Sequence, residues 1–194
     1  MQTERRASIL RAAAMIGAAS LSFAAIAAPA SAQRRAVVVT AAAPASEGAR
    51  ARATWLIEQA EAFDVRQGQD GRYFEVAKLY RTAANLRGED TAAISNYRMA
   101  AWAYSAGGDN TAAFRVMKRA AELAAKVDDV ERAIGSYVDA AMIAKTAGRT
   151  DHIAPLMREA NTLLASEKLS AESRVALLER IEAEPVLREY LAAR

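Results

Sequence analysis

The stretch at residues 95–110, "SNYRMAAWAYSAGGDN", decides how this chain folds, because residues 135–150 return its pattern as "GSYVDAAMIAKTAGRT". Tyr97 comes back as Tyr137, Ala100-Ala101 as Ala140-Ala141, and Gly108 as Gly148, each forty residues on. The register continues downstream, where Met117 pairs with Met157, Ala120 with Ala160 and Leu123 with Leu163. A weaker copy lies upstream in Ala60, Phe63, Gln67, Gly71, Val76, Tyr80 and Ala83. Small residues at fixed places let two helices approach closely, and a larger side chain one turn away fills the adjoining gap. Glycine after each run supplies the backbone freedom for a reversal. The pattern encodes helical hairpins stacked in series.

Working outward, Tyr73, Val76, Ala77, Tyr80, Ala83 and Ala84 form one apolar stripe at helical spacing. Helices are predicted near 53–67, 72–87, 90–106, 110–126, 128–147, 151–166 and 170–183, seven in all. A short terminal helix follows, with Pro185 in its first turn and Val186, Leu187, Tyr190 and Leu191 as its apolar face. Asp90 or Thr91, Asp109 to Thr111, Thr150 or Asp151, and Ser170 stand where N-caps belong.

The N-terminal 32 residues carry a different pattern. Arg5, Arg6 and Arg11 precede an uncharged apolar run from Ala12 to Ala28, and Ala30-Ser31-Ala32 forms an A-x-A cleavage site ahead of Gln33. Residues 1–32 therefore read as a signal peptide, and the protein as periplasmic or secreted. The run approaches the length of a spanning helix, but its alanine and serine content and the cleavage box favour removal, leaving no stable membrane span. Arg5-Arg6 leaves both the general and the twin-arginine export routes open. Residues 33–52, with Pro44, Ser46 and Gly48, lack helical periodicity and read as a flexible basic linker, in which 37–40 forms at most one marginal strand. Residues 53–194 form the helical domain.

Composition removes several classes of chemistry. Fifty of the 194 residues are alanine, so a 53% hydrophobic content overstates the core-forming side chains. With no cysteine there are no disulfides, thiolate-bound metals, thiol nucleophiles or acylated lipoprotein cysteine. Past the export segment the charge is nearly balanced, with 23 basic against 22 acidic residues, and from Ala53 onward it is 19 against 21. Such a domain lacks the electrostatic footprint of a nucleic-acid binder.

No catalytic constellation emerges, and no cofactor or metal is expected. His152, the single histidine, follows Asp151 at a predicted helix start and reads as a solvent-facing first-turn residue. Asp128-Asp129 suits the positive end of a helix, and nothing marks the further oxygen ligands a hard cation needs. "GQDG" at 68–71 and "GGDN" at 107–110 are turn chemistry and do not lead into a phosphate-loop arrangement.

The middle copy, Tyr97-x2-Ala100-Ala101-x2-Tyr104-x3-Gly108-x4-Ala113-x3-Met117-x2-Ala120, resembles the tetratricopeptide repeat, a helix–turn–helix unit of about 34 residues. The resemblance covers about 57–165 as three copies, with the last helices as a cap. The chain departs from the family in its longer period, in lacking a closing proline, and in Asp64 where a small residue belongs. The resemblance implies an all-α solenoid of antiparallel helix pairs whose first helices line a concave, peptide-binding groove. By matching copies, the implied groove residues are Glu58, Glu61, Arg98, Trp102, Val138, Met142 and Lys145. Trp102 and Met142 fall in the same slot of successive copies, an apolar floor, although Trp102 suits a core position equally well. Arg98 and Lys145 suit a carboxylate.

The expected function is that of an exported, non-enzymatic interaction or assembly module for a protein or peptide partner in the cell envelope. The alternative is a small-molecule-binding accessory protein of an envelope transport system, with a closed pocket among the helices.

Overall fold

The computed structural model describes residues 45–67 and 72–191. The expected signal peptide, residues 33–44 of the expected linker, and the turn at 68–71 lie outside the described residues. Among the described residues eight α-helices follow one another: α1 Glu47–Gln67, α2 Tyr73–Arg87, α3 Thr91–Ala106, α4 Asn110–Lys126, α5 Val130–Thr146, α6 Ile153–Leu164, α7 Ala171–Glu182 and α8 Pro185–Arg188. One 3-10 turn, Thr150–His152, opens α6.

Two boundaries differ from expectation. Helix α1 starts at Glu47, so residues 47–52 are helical where linker is expected. Ser46 explains the start: its hydroxyl accepts the Ala49 N–H at 3.2 Å, and Glu47 follows as an acid in the first turn. At the other site, neither Thr150 nor Asp151 caps α6 through its side chain; a tightened turn replaces the cap, with the His152 N–H donated to the Arg149 carbonyl at 3.1 Å. Elsewhere the caps fall as expected. Asp90 accepts from Ala92 N–H at 2.9 Å, Asp109 from Ala112 at 2.8 Å and Ser170 from Ser173 at 3.0 Å. Asp129 does the same for Arg132 at 3.1 Å.

The turns are copies of one another. A left-handed residue recurs every twenty positions, at Gly88, Gly108, Asp128 and Gly148. Across the last three turns the residue after it donates its N–H back into the preceding helix. Asp109 reaches the Tyr104 carbonyl at 2.9 Å, Asp129 the Ala124 carbonyl at 2.9 Å and Arg149 the Ala144 carbonyl at 2.8 Å. Helices α3, α4 and α5 therefore end in the same six-to-one closure, which satisfies carbonyls that would otherwise be left without partners.

Consecutive helices from α1 to α6 pack on one another as antiparallel hairpins. The core runs through them continuously, with Tyr97 and Tyr137 buried and Ala100, Ala101, Ala140 and Ala141 fully so. Cross-helix polar contacts link residues 37, 40, 41 and 42 positions apart, which is one repeat: Glu89 with Lys126, Asp128 with Lys168, Asp139 with Arg180 and Glu131 with Ser173. The last three pairs ascend together along α5 and the segment leading through α7, so α7 lies parallel to α5. Leu177 and Ile181 continue the slots of Tyr137 and Ala141 and are buried in the same core. The protein is an all-α, tetratricopeptide-like solenoid of antiparallel helix pairs in which α7 takes the first-helix place of a fourth unit. Pro185 begins α8, and Leu187 seals that end of the core.

Candidate functional site

First helices α3, α5 and α7 stand side by side, and one charge cluster crosses all three. Arg98 on α3 lies 3.6 Å from Asp139 on α5, whose other carboxylate oxygen accepts a hydrogen bond from Arg180 on α7 at 2.5 Å. Both arginines thus address one carboxylate. The 3.6 Å separation makes the Arg98 contact an ion pair rather than a hydrogen bond. Arg98 is 5% exposed. Burial lowers its guanidinium to about 10 against the pull of Asp139, with Arg180 and Arg132 adding repulsion. Burial also raises the Asp139 carboxyl, while Arg180 and Arg98 act in the opposite direction. Both shifts are towards neutrality, so desolvation outweighs attraction in this cluster.

The expected groove residues divide into three groups. Glu58, Glu61 and Lys145 are exposed, and Lys145 lies 4.0 Å from Glu184 beyond α7. Trp102 and Met142 are partly buried, packed against the core at equivalent points of α3 and α5. The Trp102 ring meets Tyr73 of α2 edge to face, with centroids 6.3 Å apart. Arg98 and Val138 are buried, and Val138, at 2% exposure, supplies core packing in place of a binding surface. A side chain in that slot has no water-facing side because α5 is flanked there by α3 and α7.

Arg98 therefore already has a carboxylate, and it is this chain's own. Asp139 and Arg180 have no place in the groove pattern of the tetratricopeptide resemblance, yet their positions carry a signal. Arg98, Asp139 and Arg180 alternate in charge at intervals of about one repeat, as residues facing one another across stacked units would.

His152 is solvent-facing only in part: its side chain is 39% exposed and also meets a neighbouring helix. Its ring rests 5.0 Å from that of Phe114 on α4, with the Arg149 guanidinium 5.8 Å from the Phe114 centroid. It joins α6 to α4, the second helices of successive units. Among the described residues no three His, Asp or Glu side chains converge as metal ligands, and no helix is long and apolar enough to cross a membrane.

Neither a family model nor a curated protein matches the chain. Among solved structures, the type III secretion translocator chaperone SycD of Yersinia enterocolitica is similar. It shares 18% sequence identity over 66% of this chain and 89% of that chain, with a TM-score of 0.44.

Proposed function

We propose that the chain is an exported, non-enzymatic interaction or assembly module of the periplasm or cell exterior, holding a peptide or helical segment of a partner along its first helices. The observation that carries this reading is the pair Trp102 and Met142. They recur in one slot of α3 and α5 and are only partly covered, although neighbouring apolar residues of the same helices are fully buried. Large side chains left partly uncovered at a repeated position are suited to a partner's apolar residues. Exposed Glu58 and Glu61 on α1 and exposed Lys145 on α5 flank them in sequence, which favours a segment with basic residues at one end and acidic ones at the other. The arginine-led apolar run and the Ala30-Ser31-Ala32 box support export.

The test is capture from envelope extracts with the full chain and with a Glu58→Lys, Glu61→Lys, Lys145→Glu variant. These side chains are exposed, so helicity should be unchanged while a retained partner is lost. Equal retention by both forms sinks the groove assignment. N-terminal sequencing of the protein recovered from the envelope fraction should begin at Gln33; a start at Met1 removes the export reading.

A further inference from the structure

A second feature lies away from the first helices, between α2 and α4. The two second helices, one repeat apart, enclose a shallow pocket of about 320 Å³ whose walls carry Arg81 and Asn85 from α2 and Arg115 and Arg119 from α4. Each pair is four residues apart, so its members project from one face of their helix and meet the opposite pair across the gap. Tyr97 of α3 forms the floor: it is 6% exposed and donates its hydroxyl to Asn85 Oδ1 at 2.6 Å. That bond occupies the amide oxygen and leaves the Asn85 NH2 as a donor. The apolar part of the lining comes from Ala112, Val116 and the Tyr97 ring.

No carboxylate lines this pocket. Arg119 has a peripheral partner, Glu122 at 3.7 Å, which Lys118 shares at 3.8 Å, and Arg81 stands 5.9 Å over the Tyr104 ring. Arg115 has no carboxylate within ion-pair distance among the described residues. Three like charges around one concavity oppose folding, and Arg115 with Arg119 is a repulsive spacing on a helix. The packing of the hairpins needs none of them, since their heads lie outside the core. Guanidinium forks match oxyanions with several oxygens, and three of them with no carboxylate among them select a multiply charged anion over a neutral or basic ligand.

We propose that the pocket between α2 and α4 is a binding site for a compact polyanion of the diphosphate class, held by Arg81, Arg115 and Arg119 with the Asn85 amide as an oriented donor. Calorimetric titration of the full chain with inorganic pyrophosphate tests this, alongside inorganic phosphate and a triglutamate peptide. One saturable site for pyrophosphate is expected, with phosphate weaker. Arg115→Gln should lower the affinity roughly tenfold, the loss expected for one charge-assisted contact. Arg158→Gln, an exposed change on α6, should leave it unaltered. Without ligand, Arg115→Gln should be at least as heat-stable as the parent, because repulsion with Arg119 is relieved. An absent pyrophosphate isotherm overturns the proposal, and so does equal weakening by Arg158→Gln, which would mean diffuse attraction. Tighter binding of triglutamate would replace it with a docking surface for acidic peptides. Should Arg115→Gln fail to fold, Asn85→Ala gives the same comparison, with weaker pyrophosphate binding expected and unchanged binding counting against the site.

Discussion

Asp139 on α5 accepts a 2.5 Å hydrogen bond from Arg180 on α7, across a separation of 41 residues. With Arg98 on α3 facing the same carboxylate, one acid ties three successive first helices together. The tie converts a repeat in sequence into a stack in space. It also takes Arg98 out of the set of residues free to receive a partner's carboxylate.

Desolvation outweighs attraction in this cluster, yet removing one partner leaves the others uncompensated, so its parts and its whole should behave differently. Asp139→Ala leaves two guanidinium groups facing each other and should cost roughly 3 kcal/mol, the lower end for a buried pair because Arg180 is partly exposed. Replacing all three by apolar residues of similar size, as Arg98→Met, Asp139→Leu and Arg180→Met, should stay within about 1 kcal/mol of the parent. Urea unfolding of the two variants checks the contrast. A triple variant as unstable as Asp139→Ala would mean the ions themselves hold α7 in place.

Acidity offers a separate reading of the same carboxyl. Its folded-state value is raised above the ordinary 3.8, so the folded chain binds this proton more readily than the unfolded chain. The contribution to stability is then fully present below 3.8 and is lost as pH rises through the raised value. Relative to Asp139→Asn, the parent should therefore gain stability on acidification from neutral pH. Paired urea midpoints at neutral pH and near the lower limit of that window measure the difference. A gap moving the other way would show that Arg98 and Arg180 dominate over burial.

The turn at Asp128 carries strain that its counterparts avoid. Asp128 has φ 64°, in the left-handed region occupied by Gly88, Gly108 and Gly148 at the matching places. A side chain there costs about 1 kcal/mol, offset in part by the greater freedom glycine brings to the unfolded chain. The exposed ion pair of Asp128 with Lys168 returns little. Asp128→Gly should therefore raise stability by roughly 0.5 kcal/mol, while Gly148→Ala should lower it by about 1 kcal/mol. Thermal unfolding of both variants decides it, and a destabilised Asp128→Gly would make the Lys168 pair the more important contact.

These particulars explain what could be read from the chain before its structure was known. Tyr97 and Tyr137, with their alanine pairs, were legible because close helix packing tolerates few residue types in those slots. The fourth unit was not: Leu177 stands where tyrosine recurs and Ile181 where alanine does, so only their burial shows the slot. Asp128 hid the turn period because a carboxylate ahead of a helix is ordinarily read as a cap. Arg98 reads as a partner-binding residue in the sequence because a sequence does not distinguish a partner's carboxylate from one that stacking brings round from the next repeat.

If α7 is a fourth first helix rather than an appended arm, damage to it should be felt by the whole stack. Ile181 is fully buried beneath α7, while Val175 on the same helix is 54% exposed. Ile181→Ala should cost about 2–4 kcal/mol through lost burial and the cavity it leaves. Val175→Ala should stay within about 0.5 kcal/mol. The form of the transition carries the decision. In a solenoid the terminal unit stabilises its neighbour through one interface, and a short array with a continuous core unfolds together. Ile181→Ala should therefore shift a single transition, seen equally by far-ultraviolet circular dichroism and by fluorescence of Trp55 and Trp102, which lie in earlier units. An early step in circular dichroism, with tryptophan fluorescence unmoved until later, would mark α7 and α8 as an independent arm resting on a three-unit stack.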